Sequence, residues 1–158
     1  MQYRRLGRTG LKVSAFCLGG DPFGLNTIGK IAFDILDRAY ELGINFLDTA
    51  NAYGRGQSED IIGRWLASRG SRNDIVLASK VRAAMGPGPN QVGVSRYAIF
   101  QQIEGSLRRL RTDHLDIYWV HRWDPDTPIE ETRRALDDLV RAGKVRQVAP
   151  PTAHLAAV

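Results

Sequence analysis

The stretch INFLDTANAYGRGQSEDIIGRWL, residues 44–66, has the pattern of one strand–loop–helix unit. The short apolar run Ile44–Leu47 predicts a buried strand, and apolar residues at helical spacing within Ser58–Leu66 predict a helix. Ser58 is a candidate N-cap, and Glu59 adds an acid to the first turn, where negative charge stabilises a helix. A strand followed closely by a helix is the building block of parallel α/β folds.

The same unit repeats on both sides of this stretch. In chain order the sequence predicts a hairpin over Tyr3–Val13, a strand at Ala15–Leu18, a helix at Ile31–Leu42 that ends at Gly43, a strand at Ile75–Ala78, a helix capped by Ser95 and running to Leu110, a strand at Leu115–Val120, a helix at Pro128–Ala142 and a strand at Val145–Val148. Strict alternation of short apolar strands and helices predicts a parallel sheet covered by helices. The order alone is compatible with an open doubly wound sheet and with a segment of a barrel.

Length and composition narrow the class of protein. The chain has 158 residues, 43% of them hydrophobic and 25% charged, which is typical of a single globular domain. An eight-unit barrel normally needs about 250 residues, so this chain is too short to form a whole one. The net charge of +5 comes mostly from arginines that alternate with acids along helices, so we predict no nucleic-acid partner.

Location follows from two features of the sequence. No apolar run is long enough to span a membrane, so we expect no membrane partner. The single cysteine, Cys17, lies in an apolar run and is predicted to be a buried, unreactive thiol. A lone cysteine is typical of a reducing compartment, and we expect the protein in the cytoplasm. No metal site is predicted.

Polar residues stand where the predicted strands end. Asp48 follows the second strand of the sheet, Lys80 follows the third, His121 follows the fourth, and Tyr53 lies in the loop after Asp48. The carboxyl ends of parallel strands meet at one edge, with neighbouring strands about 4.8 Å apart. These four side chains are therefore expected in one pocket.

The four residue types suit one chemistry. A lysine cation beside a tyrosine stabilises the phenolate, and a carboxylate can hold the lysine in place. A histidine can orient a carbonyl oxygen by a hydrogen bond, so the group suits protonation of that oxygen while a nicotinamide delivers a hydride to carbon. Each residue alone also fits a structural role, and only their joint placement favours catalysis. Phe23 and Trp123, which follow strand ends, are expected to wall a substrate pocket.

Three segments resemble one family. LDTANAYGRGQSE at residues 47–59, GRTGLKVS at residues 7–14 and residues 107–121 are similar to the aldo-keto reductases. The resemblance implies a TIM (β/α)8 barrel, of which this chain would form the N-terminal (βα)4-β5 part after a short β-hairpin. It also implies reduction of a small aldehyde or ketone with NADPH as cofactor.

The resemblance further implies the roles of single residues. Tyr53 would be the proton donor, Lys80 and Asp48 its tuning pair, and His121 the group that orients the carbonyl. The cofactor site would include Asp48, Gly19 and Gly20.

The last residues depart from the family pattern. Where the family continues Gly-x-Ser-Asn after its fifth strand, this chain reads Ala-Pro-Pro-Thr over residues 149–152. One base lost from GC-rich codons would produce that change. We therefore expect a partial barrel over residues 1–148 and a frameshifted tail over residues 149–158, with catalysis by the chain alone impaired. A non-catalytic binding or assembly module and an inactive gene remnant are the alternatives.

A partial barrel implies exposed sheet edges. Its first and fifth strands would each lack a partner on one side, and inward apolar residues such as Ile117, Ile75 and Phe46 would be undercovered. Exposed edges pair with other chains. We therefore expect a homodimer formed through these edges.

Overall fold

The computed structural model describes residues 1–149. The chain opens with a hairpin of β1 (Tyr3–Arg5) and β2 (Lys12–Ser14), which pair antiparallel as the sequence predicts. Its turn is closed by the Leu6 amide, which donates to the Leu11 carbonyl oxygen over 2.9 Å.

Five parallel strands follow, and they form one sheet. They are β3 (Leu18–Gly19), β4 (Phe46–Asp48), β5 (Val76–Val81), β6 (Leu115–Val120) and β7 (Val145–Ala149). Each strand pairs with the next one in the sequence, so the order is β3-β4-β5-β6-β7. A doubly wound sheet reverses its strand order near the middle, whereas a barrel adds strands in one direction. The observed order therefore confirms the barrel segment over the open sheet.

Four helices connect the strands. They are α1 (Gly29–Glu41), α2 (Gln57–Arg69), α3 (Arg96–Leu110) and α4 (Ile129–Arg141). Ser95 caps α3 as predicted, because its hydroxyl accepts from the Ala98 amide over 3.2 Å. The helices and one face of the sheet share the main core, which includes Trp65, Leu77 and Ile103.

The opposite, inward face of the sheet is covered at one end by the N-terminal hairpin. Val13 packs with Val76, Ala78 and Ile117, and Leu6 and Leu11 lie against them. The expectation that Ile117 and Ile75 are undercovered is therefore wrong: they are 1% and 3% exposed. The hairpin buries Ile117, Ile75 belongs to the core under the helices, and Phe46 is half-buried.

The start of the sheet differs from the prediction. The first strand, expected as a buried run over Ala15–Leu18, covers only Leu18–Gly19, and Cys17 beside it is exposed rather than buried. Within residues 1–149, β3 pairs on one side only, with β4. No second strand in that part of the chain pairs with its outer side, and Cys17 is exposed beside it.

Within residues 1–149, no helix combines the length and apolar character needed to cross a bilayer. Ala149, predicted to begin a tail outside the barrel, is the last residue of β7 and pairs with Trp119. The rest of that predicted tail, residues 150–158, lies outside the described residues, and its origin stays a prediction.

Candidate active site

The strand ends bring the predicted polar residues together on the inward face. Asp48 is the last residue of β4, Lys80 lies one residue before the end of β5, and His121 directly follows β6. The alternation of a strand places Lys80 on the same face as the inward residues Val76 and Ala78. The site therefore lies at the carboxyl edge of three neighbouring strands.

The ammonium group of Lys80 links the other members of the site. It donates to the Asp48 carboxylate over 2.5 Å, to the Thr49 carbonyl oxygen over 2.9 Å and to the Tyr53 hydroxyl oxygen over 3.1 Å. An ammonium has three N–H donors, so all of them are used. Lys80 is only 14% exposed in its side chain, and the three acceptors fix its cation beside the phenol.

The two rings of the site meet edge to face. The centroids of Tyr53 and His121 are 5.8 Å apart at an interplanar angle of 86°, and Lys80 Nζ is 4.7 Å from the Tyr53 ring centre. The backbone amide of His121 donates to the Val81 carbonyl oxygen over 3.0 Å, which ties the residue to the end of β5. Both side chains can thus face one oxygen atom placed between them.

Burial lowers the pKa of the His121 imidazole from its ordinary value, and the nearby cations of Lys80 and Arg122 lower it further. The ordinary pKa of histidine is about 6.5. The ring is therefore neutral at pH 7 and carries one N–H donor and one acceptor nitrogen.

A tight turn positions Tyr53. Gly54, Arg55 and Gly56 all have positive φ (55°, 53° and 91°), and this left-handed segment forms a kink immediately before α2. Glycine takes up this left-handed conformation without strain, whereas Arg55 adopts it at a cost. Tyr53 directly precedes this turn, and its hydroxyl lies 3.1 Å from Lys80 Nζ.

Ser58 holds that turn, although not in the role predicted for it. It is the second residue of α2, whose N-cap is Gly56, and its buried hydroxyl donates to the Gly20 carbonyl oxygen over 2.7 Å. The prediction of Ser58 as N-cap is therefore wrong, because the left-handed turn ends at Gly56 and places the N-cap two residues before Ser58. A β-carbon on Gly20 would lie 2.7 Å from Ser58 Oγ, so this glycine is required by close packing.

Glu59 and Arg109 form a buried ion pair that the sequence did not reveal. The Glu59 side chain is 0% exposed, and its carboxylate accepts from Ser79 over 2.5 Å and from Arg109 Nε over 2.7 Å. Sequence reasoning placed this acid in the first turn of α2 for its helix dipole alone. The glycines permit close packing here: β-carbons on Gly56 and Gly63 would lie 2.7 Å and 2.2 Å from Arg109 atoms.

An open cavity of about 450 Å³ lies in front of this group. Its walls come from the strands and their ends: Cys17, Gly19, Phe46, Asp48, Lys80, Trp119, Val120 and His121. A β-carbon on Gly19 would meet nothing within 4 Å, so the wall is open at that point. Among residues 1–149, the Trp119 indole N–H is buried without a hydrogen-bond partner.

The structure does not bring the two predicted substrate-pocket residues to this cavity. Phe23 is 2% exposed and belongs to the core under the helices. Trp123 lines a separate apolar groove beside α4. Within the described part of the chain, no cluster of three or more His, Cys, Asp or Glu side chains could hold a metal ion.

The architecture is that of a (β/α) barrel portion whose polar cluster lies at the carboxyl edge of its strands. The sequence profile of the Aldo/keto reductase family matches residues 17–150. This chain belongs to the aldo/keto reductase family.

The chain is similar to several curated proteins. It is 47% identical to "Uncharacterized oxidoreductase YrpG" of Bacillus subtilis, over 92% of this chain and 47% of the relative. It is 41% identical to "Norsolorinic acid reductase stcV" of Emericella nidulans, over 88% of this chain and 39% of the relative. It is also 41% identical to "Probable voltage-gated potassium channel subunit beta" of Arabidopsis thaliana, over 90% of this chain and 44% of the relative. The chain spans about half the length of the curated relatives it matches.

Proposed function

We propose that this site, within a complete barrel, reduces an aldehyde or ketone with NADPH. The observation that carries the proposal is the triple hydrogen bonding of Lys80, which joins the Asp48 carboxylate to the Tyr53 phenol. Tyr53 is the proposed proton donor, because a fixed cation beside the phenol stabilises the phenolate left after proton transfer. Asp48 balances the lysine charge and fixes its position.

His121 is the proposed orienting group. Its neutral ring can donate one N–H to the carbonyl oxygen of a substrate while Tyr53 approaches that oxygen from the perpendicular ring. Two donors directed at one oxygen fix its position and favour the negative charge that develops there. A neutral histidine also avoids placing a second cation beside Lys80.

The inward cavity fits one face of a nicotinamide nucleotide, which supplies the hydride when bound. Its volume of about 450 Å³ is within the usual range of ligand pockets. Gly19 leaves the wall open to a flat ring, and the unpartnered Trp119 N–H offers a donor within the described residues. Asp48 borders the same cavity, whereas the close packing of Gly20 supports the site from behind.

The test joins residues 1–149 to the C-terminal half of a close homologue and measures carbonyl-dependent NADPH oxidation. Tyr53→Phe should lower kcat by at least about 10²-fold, the low end for a general acid. Tyr97→Phe is the control, since Tyr97 is 60% exposed on α3. An active chimera that is indifferent to Tyr53→Phe would show that another group donates the proton.

An assembly role is the second candidate. Among residues 1–149, β3 and β7 each pair on one side only. Ile28, the N-cap of α1, and Ile31 in its first turn are 60% and 63% exposed. We propose that two copies of this chain pair through these edges.

A cytoplasmic location is likewise a proposal, supported by the single cysteine.

A further inference from the structure

A second, smaller cavity adjoins the proposed active site. It has a volume of about 260 Å³ and is lined by Ala52, Arg82, Ala83, His121 and Arg122. His121 borders both this cavity and the larger one, and Ala52 immediately precedes Tyr53. A ligand group in the smaller cavity would therefore lie next to the residues that are proposed to hold the carbonyl oxygen.

The charge in this cavity is positive and unbalanced. Within residues 1–149, neither Arg82 nor Arg122 forms an ion pair, whereas the neighbouring acid Asp48 is already bonded to Lys80. Arg82 Nε is buried and has no hydrogen-bond partner in the same range. Both guanidinium groups therefore border the cavity without a carboxylate partner in the described part of the chain.

The backbone of Arg82 is strained in a way that fixes its position. Its φ is 133°, a conformation that residues other than glycine rarely adopt. The Arg82 amide donates to Gln102 Oε1 over 3.3 Å, its carbonyl oxygen accepts from the Gly93 amide over 2.9 Å, and Gln102 is in turn held by Asn51 over 2.6 Å. Strain of this kind persists where surrounding contacts enforce it and is common at functional sites.

We propose that the Arg82–Arg122 cavity binds the carboxylate of the substrate while its carbonyl oxygen lies at Tyr53 and His121. The substrate class is then an aldehyde or ketone that carries a carboxylate. A guanidinium presents paired N–H donors that match the two oxygens of a carboxylate, and two such groups line this cavity. This inference rests on the proposed function for the identity of the carbonyl site.

The experiment measures binding to the full chain without cofactor, by NMR of the arginine guanidinium signals. The probes are 4-oxopentanoate and 2-pentanone, two five-carbon ketones of which only the first carries a carboxylate. We expect 4-oxopentanoate to bind at least about 10-fold more tightly. Arg82→Gln and Arg122→Gln should each remove most of that difference and leave the 2-pentanone affinity unchanged.

Two controls separate this site from general charge effects. Arg134→Gln removes the same charge from an exposed position on α4 and should leave both affinities unchanged. Arg122 is exposed, so Arg122→Gln tests the cavity without disturbing the strained residue Arg82. Equal affinity for the two ketones, or an equal loss in Arg134→Gln, would overturn the proposal.

Inorganic phosphate and NADPH are titrated in parallel. If Arg82→Gln weakens their binding but not that of 4-oxopentanoate, the cavity holds a cofactor phosphate and the substrate proposal is wrong. Because the ketone probes are measured without cofactor or turnover, the carboxylate site can be refuted while the reductase proposal stands. The reductase proposal has its own test: it fails if the chimera is active and Tyr53→Phe does not lower that activity.

Discussion

Replacing Arg109 by alanine should destabilise the protein more than any exposed charge substitution. Arg109 lies on α3 and reaches the Glu59 carboxylate on α2, whose side chain is 0% exposed. The substitution leaves that carboxylate buried with only the Ser79 hydroxyl as partner. Removing one member of a buried ion pair leaves an uncompensated charge, which is costly.

The magnitude follows from the asymmetric burial of the pair. Breaking a buried pair from one side costs about 3–5 kcal/mol. Because the Arg109 side chain is 27% exposed, it can still reach water when its partner is removed, so Glu59→Gln should cost less than Arg109→Ala. A small domain has roughly 5–15 kcal/mol of total stability, so Arg109→Ala removes a large share of it.

Urea unfolding followed by far-UV circular dichroism measures both changes. The matched control is Arg64→Ala, which breaks the exposed pair of Arg64 and Asp60 within α2 and should cost about 1 kcal/mol or less. The double variant Glu59→Gln with Arg109→Met should recover part of the loss, because it leaves no unpaired charge buried. If Arg109→Ala costs no more than Arg64→Ala, the carboxylate is not dependent on its arginine and the reasoning is wrong.

Three further outcomes are expected. Gly20→Ala should lower the free energy of unfolding in urea by about 1–3 kcal/mol, because its β-carbon would lie 2.7 Å from Ser58 Oγ. Gly19→Ala is the control, since its β-carbon would meet nothing within 4 Å, and equal losses would contradict the packing argument. The His121 ring should titrate by NMR below about 6.5, and Arg122→Gln should raise its midpoint by removing a nearby cation. Since the folded pKa is lowered, His121 stabilises the fold fully above about 6.5 and progressively less as pH falls towards its folded pKa; a midpoint above 6.5 would refute this. Sedimentation at micromolar concentration should show a homodimer or larger assembly, and a compact monomer that melts cooperatively would refute edge pairing.

The order of elements and the positions of the strand-end residues could be predicted from the sequence. β6 was predicted over Leu115–Val120 and spans those residues, and the helix capped by Ser95 begins and ends where the apolar spacing predicted. These features depend on local periodicity and on turn and capping residues, which act within a few positions along the chain. For the same reason Asp48, Lys80 and His121 could be assigned to one edge before their contacts were known.

Only the tertiary structure decided what each side chain contacts. Ser58 is a residue type typical of an N-cap, but its hydroxyl donates a hydrogen bond to Gly20, which lies 38 positions away in the sequence. Glu59 is an acid at a position typical of an exposed first turn, but it is buried and paired with Arg109, 50 positions away. Cys17 has apolar neighbours in the sequence but is exposed beside β3, which has one strand partner only within residues 1–149. Burial and charge pairing depend on segments that meet only after the sheet and helices have packed, and no local pattern records those distances.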